Sequence, residues 1–202
     1  METPGMKLNI GKGTLWLVGL VILGFVLQIA FPEFMFENFA LVYSLIGTEP
    51  WRLISYMFVH GGFDHLLLNL FSILFFGLIL EKDIGSKMFF LVYFVAGILG
   101  GYMQAYLFPA APSIGASAAA YGILGMLAIL RPMMIVIFVV PLPMIVVAIG
   151  WAASSYLLIS LEDGIGHAAH LFGLVVGVVF GIIWRLTHKS KGIDGNMSES
   201  GE

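Results

Sequence analysis

Polar side chains stand in the opening turns of three apolar stretches of this chain: His65 with Asn69, Ser117 within Ser113-Ile114-Gly115-Ala116-Ser117, and His167 with His170. These are the residue types of nucleophilic catalysis. A serine hydroxyl is inert at its own pKa and needs an adjacent base, and imidazole is the side chain best poised for that at neutral pH. Hydrogen-bonding and ionisable groups at bilayer depth are expensive, so each of these positions is a candidate functional residue by default. The chain has no cysteine, which removes thiol catalysis, disulfides and Cys-ligated metals together.

The elements that must position these groups are membrane helices. With 60% hydrophobic and 10% charged residues and a mean hydropathy of +1.02, the composition is that of an integral membrane protein rather than a soluble globule. The 202 residues give room for one membrane domain and short tails. Nucleic acid is not an expected partner, and a net charge of -3 says little where placement matters more than sum. Gly, Pro and charged residues punctuate the chain into six expected spans at 14–32, 65–80, 88–107, 116–130, 143–160 and 167–187, each measured against a need for ~20 apolar residues per crossing. The expectation is an all-α membrane protein with a short cytoplasmic tail over 1–13, a six-helix domain over 14–187 and a polar, disordered cytoplasmic tail over 188–202. A substantial outer loop follows the first span. No small-x-small site follows that span at Gln28–Phe34, so it reads as an anchor rather than a cleaved signal. The fourth span is short, opened by Ser117 and closed by Arg131-Pro132, and the β-branched, proline-bounded run from Met133 to Pro143 suits an extended interfacial segment.

Charge placement orients this frame. Lys7, Lys12, Lys82, Lys87, Arg131, Arg185, Lys189 and Lys191 fall on one side of six spans and Arg52 alone on the other, which puts both termini in the cytoplasm. The second, fourth and sixth spans then all begin at the outer face, so their first turns converge at one depth. His65 and Asn69 share a helix face, as do Ser117, Tyr121 and Gly125. Gly173, Gly177 and Gly181 continue the line of His170 as a stripe of small residues, and Gly122 and Gly125 supply a matching surface. Close packing of those two spans brings Ser117 and His170 within hydrogen-bond reach.

These residues resemble the rhomboid intramembrane serine proteases, in the prokaryotic six-span form. Gly115-Ala116-Ser117 with Tyr121 looks like the family's Gly-x-Ser nucleophile motif, and Ala169-His170-Leu171-Phe172-Gly173 like its catalytic histidine. Trp51-Arg52, His60 and His65-Leu-Leu-Leu-Asn69 repeat the remaining signposts in order, so the match runs from about Glu49 to Gly181. The resemblance implies a rhomboid-like six-helix bundle in a prokaryotic cell membrane, with an active site opening to the outer face. It implies a Ser117–His170 dyad, with Tyr121 orienting the His170 ring. The oxyanion donors are then His65, Asn69 and the Ser117 backbone N–H, each worth ~10²–10³ in rate. No metal or cofactor is required, and the substrate is a transmembrane segment of another membrane protein. Ala118 stands where the family often has Gly; Ala keeps the backbone donor and a small profile.

Water must reach the scissile bond, and irregular backbone at membrane depth is tolerated where it lines a wet cavity. The fifth span and the Met133–Pro143 segment are the candidate lateral gate. Structural alternatives stand beside each reading: Ser117 as a helix cap, His65 and Asn69 as interhelical glue, and His167 with His170 as a metal or proton site. Asp64 reads as an N-cap to the second span, Trp51 as a belt residue, Arg52 as a loop fastener, Glu81-Lys82-Asp83 as a solvated cytoplasmic turn, and Glu162-Asp163 as an outer-loop pair. Two rival functions follow: an inactive rhomboid relative that binds clients, and a small transporter using His65, His167 and His170 as a relay.

Overall fold

The computed structural model describes residues 11–137, 140–161 and 164–188. Lys7, Lys189, Lys191, Glu162, Asp163 and the tail expected to be disordered beyond His188 lie outside the described residues. Among the described residues seven helices run in chain order: α1 (Lys12–Ala30), α2 (Pro32–Phe39), α3 (Arg52–Ser55), α4 (Phe63–Leu107), α5 (Ser117–Leu130), α6 (Met144–Leu157) and α7 (His167–His188). Tight 3₁₀ turns at Tyr43–Leu45 and Tyr56–Phe58 flank α3. Helices α1, α4 and α7 are long and apolar enough to cross a membrane, and α5 and α6 are shorter apolar helices. Large side chains such as Trp16, Ile29, Leu68, Ile149, Val175 and Ile183 point outward. An apolar exterior of this kind suits lipid rather than water, as expected of an integral membrane protein.

Helix α4 is two helices in one. Its single non-helical residue is Gly85, at φ 77° and ψ 159°, a conformation that costs a glycine little and other residues much. The Phe89 ring lies against Gly77, although twelve residues of straight helix would separate them by about 18 Å. The chain therefore doubles back at Gly85 into arms 63–84 and 86–107. The sequence suggests a solvated turn over Glu81-Lys82-Asp83; Lys82 is exposed as that reading has it, and the correction concerns Glu81. Glu81 is buried, and its carboxylate accepts hydrogen bonds from Gly13 N–H (2.8 Å), Thr14 N–H (2.7 Å), Thr14 Oγ1 (2.7 Å) and Ser86 Oγ (2.6 Å). The first backbone N–H groups of α1 have no acceptor within their own helix, and a carboxylate from another helix supplies one.

Two further expectations change. The first span ends at Ala30 rather than 32, because Phe31 leaves the helical region (φ -137°, ψ 64°) and Pro32 both restricts the residue before it and opens α2. Asp64 does not cap α4: Gly62 (φ 136°) precedes the helix, and Asp64 is exposed in the first turn, where its charge still suits the helix dipole. Within the run expected to be extended, β1 (Ile135–Ile137) pairs antiparallel to β2 (Pro141–Pro143) in the register Ile135 to Pro143.

Helix α5 is the centre of the bundle, buried on nearly every face. Its closest neighbour is α7. A Cβ on Gly173 would collide with the Ala118 carbonyl, one on Gly177 with the Gly122 carbonyl, and one on Gly125 with the Leu174 carbonyl. The glycine stripes read from sequence thus mark a backbone-to-backbone crossing.

The segment between α1 and α4 is fastened by Arg52, which is buried and donates to the carbonyls of Ala40 (2.7 Å) and Glu37 (2.6 Å) and to Glu49 Oε2 (2.6 Å). Trp51 lies exposed with its indole N–H on Asn38 O (3.2 Å). At the opposite end, Lys12 and Lys82 line one small cavity beside Gly85, Arg131 grips Asp83, and Arg185 donates to Ile129 O. The described basic residues other than Arg52 therefore gather at the end away from Ser117.

Candidate active site

The loop before α5 is held by the segment between α1 and α4. Leu41 and Ser113 exchange backbone hydrogen bonds at 2.9 Å each way, and Gly115 N–H donates to Tyr56 O (2.9 Å). Tyr56 is itself anchored, its buried hydroxyl donating to Gly97 O at 2.7 Å. Gly115 must be glycine on two counts. Its φ is 102°, and a Cβ there would stand 2.6 Å from His65 Cε1 and 2.7 Å from Nε2. The His65 ring edge thus lies against the turn that delivers Ser117 as the first residue of α5. The N–H of Ser117, in that first turn, has no acceptor within its helix.

His170 lies one turn into α7, buried, with Nε2 2.8 Å from Ser117 Oγ. For the hydroxyl to donate, that nitrogen must be unprotonated and the ring proton must sit on Nδ1. Tyr121 stacks on the imidazole with ring centroids 4.3 Å apart and planes 10° from parallel, a face-to-face contact that fixes the ring plane. Ser155 and Trp151 of α6 in turn pack on Tyr121, through a hydroxyl contact of 3.4 Å and rings 5.1 Å apart. His167 stands edge-on to His170 at 6.1 Å and 84°.

His65 and Asn69 share one face of α4 as the spacing required. Asn69 is buried and donates one amide hydrogen to His65 O at 2.8 Å, leaving the second for another acceptor. His65 Nδ1 receives Gly61 N–H at 3.2 Å. His60 is fully buried and meets His65 edge-to-face at 5.3 Å and 63°. Ala118, after the serine, is buried against Gly100 of α4, so the methyl that replaces a hydrogen here meets a residue without one. Of the residues singled out from sequence, Ser117, His170 and Tyr121 come together in direct contact, and His65 abuts the same loop.

Two carboxamides escaped the sequence reading. Gln104 of α4 accepts Ala169 N–H at 3.2 Å and so caps the start of α7 beside His170. Gln28 of α1 bonds the backbone of His60 twice, accepting its N–H (2.8 Å) and donating to its carbonyl (2.5 Å). Both are polar residues within apolar helices, and the rule that flagged His65 and Ser117 would have flagged them.

The Rhomboid domain family model matches residues 47–186. Rhomboid protease GlpG of Haemophilus influenzae is 31% identical over 176 residues, covering 86% of this chain and 91% of that protein. RHOMBOID-like protein 4 of Arabidopsis thaliana is 32% identical over 146 residues, covering 68% of this chain and 34% of the relative. Inactive RHOMBOID-like protein 8 of the same plant is 34% identical over 77 residues, 38% of this chain and 22% of the relative. The chain spans about a third or less of the length of these plant relatives but nearly all of the bacterial one. With a family model covering well over half its length, and with the residues of the motif gathered in one place, the chain belongs to the rhomboid family.

Proposed function

We propose that this chain is an active intramembrane serine endopeptidase that hydrolyses peptide bonds in or near transmembrane segments of other membrane proteins. The observation that carries the reading is the 2.8 Å approach of Ser117 Oγ to His170 Nε2 beneath the stacked Tyr121 ring. Ser117 attacks the peptide carbonyl while His170 takes the hydroxyl proton. The protonated imidazole then gives that proton to the leaving amine, and water repeats the sequence on the acyl-enzyme. The oxyanion forms next to Gly115, where His65, the second Asn69 amide hydrogen and the Ser117 N–H are the available donors.

In this reading α1, the two arms of α4, α5, α6 and α7 make six crossings. The basic end that holds Lys12, Lys82, Arg131 and Arg185 faces the cytoplasm with both termini, and the site lies under the outer leaflet. Helix α6, whose Trp151 and Ser155 pack on Tyr121, flanks the site and is the candidate route for a substrate helix, whereas the hairpin follows Arg131 at the opposite end.

Since the family includes a relative named as inactive, activity rests on the dyad rather than on kinship. A client-binding role without catalysis would not require a hydroxyl and an imidazole in contact. A histidine relay would need polar groups along the crossing, yet below Ser117 the buried residues of α5 are Ala, Gly, Ile, Leu and Met. Reconstituted protein should cut a transmembrane reporter, be labelled at Ser117 by a fluorophosphonate, and be indifferent to chelators. Cleavage that persists in Ser117→Ala removes the serine mechanism, and a reporter left intact by the wild type supports the client-binding role.

A further inference from the structure

Helix α1 is remote from the dyad in sequence and contributes no residue to the motif, yet it touches the segment that carries His60 and Gly61. A Cβ on Gly24 would stand 2.6 Å from the Phe58 carbonyl oxygen, so the helix and this segment meet backbone to backbone. One turn further along the same face, Gln28 closes on the next peptide, accepting His60 N–H at 2.8 Å and donating to His60 O at 2.5 Å. A carboxamide that both donates to and accepts from one residue fixes the orientation of that residue's backbone. The following N–H, that of Gly61, is thereby aimed at His65 Nδ1, 3.2 Å away.

We propose that Gln28 is a positioning residue for the oxyanion site: by clasping His60 it presents Gly61 N–H to His65 Nδ1 and holds that ring as the Nε2-protonated tautomer. A neutral imidazole carries one proton, and the nitrogen that accepts a hydrogen bond is the one without it. With Nδ1 accepting, Nε2–H is the donor, and it is the Nε2 edge that lies against Gly115 at the approach to Ser117. The other tautomer would turn a lone pair toward a developing negative charge. The buried His60 ring, edge-on to His65, limits rotation of the imidazole that could restore the donor. The inference rests on the protease reading for its consequence in rate, but the tautomer itself is independent of cleavage.

The test joins ¹⁵N spectra of histidine-labelled protein in bilayers to steady-state kinetics. The wild type should show His65, assigned by loss of its signal in a His65→Asn sample, with Nδ1 unprotonated. Gln28→Met keeps the length of the side chain without its polar atoms; it should leave His65 in a mixture of tautomers and lower kcat by about 10- to 100-fold with KM nearly unchanged, part of what loss of a whole oxyanion donor costs. Gly61→Pro, which deletes the N–H, should do the same. Gly61→Ala, whose added Cβ would meet His65 Nδ1 and Ile114 at an ordinary 3.5 Å, should behave as wild type. A wild-type spectrum with Nδ1 protonated overturns the proposal by itself, as does Gln28→Met with unaltered spectrum and kcat. Failure of the protease reading is distinguishable: it would appear as cleavage by Ser117→Ala, or as no cleavage by wild type, with the His65 spectrum as expected.

Discussion

Two polar clusters interrupt the apolar bundle, one at each end, and they are built to opposite specifications. At the Gly85 end, Glu81 accepts four hydrogen bonds from Gly13, Thr14 and Ser86. It joins α1 to both arms of α4, and nothing in it is left to react. At the other end Ser117 and His170 meet through a hydrogen bond, with Ser117 only half buried at the open first turn of α5. Buried polar groups normally demand satisfaction. A cluster that meets the demand holds helices together, and one that holds donors in reserve is suited to a charge that appears only in a transition state.

The comparison is broken most directly by exchanging the roles. Ser117→Ala should lower cleavage by about 10⁴-fold or more, while thermal unfolding in detergent shifts by no more than the roughly 1 kcal/mol of one hydrogen bond. Glu81→Ala should do the reverse. Stranding the Gly13 and Thr14 N–H groups and Ser86 should cost about 2–4 kcal/mol, measured as a fall in unfolding temperature, with kcat per folded molecule near wild type. If Glu81→Ala silenced the enzyme at unchanged stability, the division between the two clusters would be wrong.

What the sequence disclosed and what it hid divide along the same line. The crossing of α5 and α7 was legible because Gly122, Gly125, Gly173 and Gly177 repeat at helical spacing, and small residues at that spacing have one use. The contact of Ser117 with His170 followed from that crossing, and the pairing of β1 with β2 from prolines and β-branched residues. Glu81 was misread because its neighbours Lys82, Asp83 and Gly85 form a polar turn, while what buries it lies 67 residues away in Thr14. Gln28 was passed over because its partner is a backbone, and backbone partners leave no trace in side-chain patterns. Asp64 was assigned a capping role on residue type alone, before Gly62 was known to take the turn.

Next below the two clusters in expected effect stands His60, in the loop ahead of α4. Burial pushes its imidazole down to about 4 from the usual 6.5, with His65 nearby adding to the shift and the Phe58 backbone opposing it. Above pH 6.5 the ring is neutral folded or unfolded and contributes no pH dependence. As pH falls from 6.5 toward 4 the unfolded chain takes up a proton that the folded ring refuses, so stability declines across that window. Wild type should lose about 2 kcal/mol more than His60→Phe between pH 8 and pH 5, read from paired denaturation curves. Equal losses in the two proteins would show that the loop behind His65 admits charge, and that the Ser117 end is wetter than this contrast allows.

The smallest effect sharpens the contrast within a single turn of helix. Asp83 lies two residues from Glu81 and is also a carboxylate with good partners, Arg131 Nε and Nη2 at 2.6 Å each. Arg131, however, is 45% exposed, so water and salt compete for both groups. Exposed ion pairs are worth about 0–1 kcal/mol even when well formed, and a bidentate fork belongs at the upper end of that range. Asp83→Asn should therefore cost under about 1 kcal/mol, and the difference from wild type should shrink as ionic strength rises. The loss in Glu81→Ala should persist in salt, because its donors are neutral backbone and hydroxyl groups held by the fold, which no counterion can replace. Two carboxylates of equal formal charge would then differ several-fold in effect for one reason, whether helix or solvent supplies the competing hydrogen bonds.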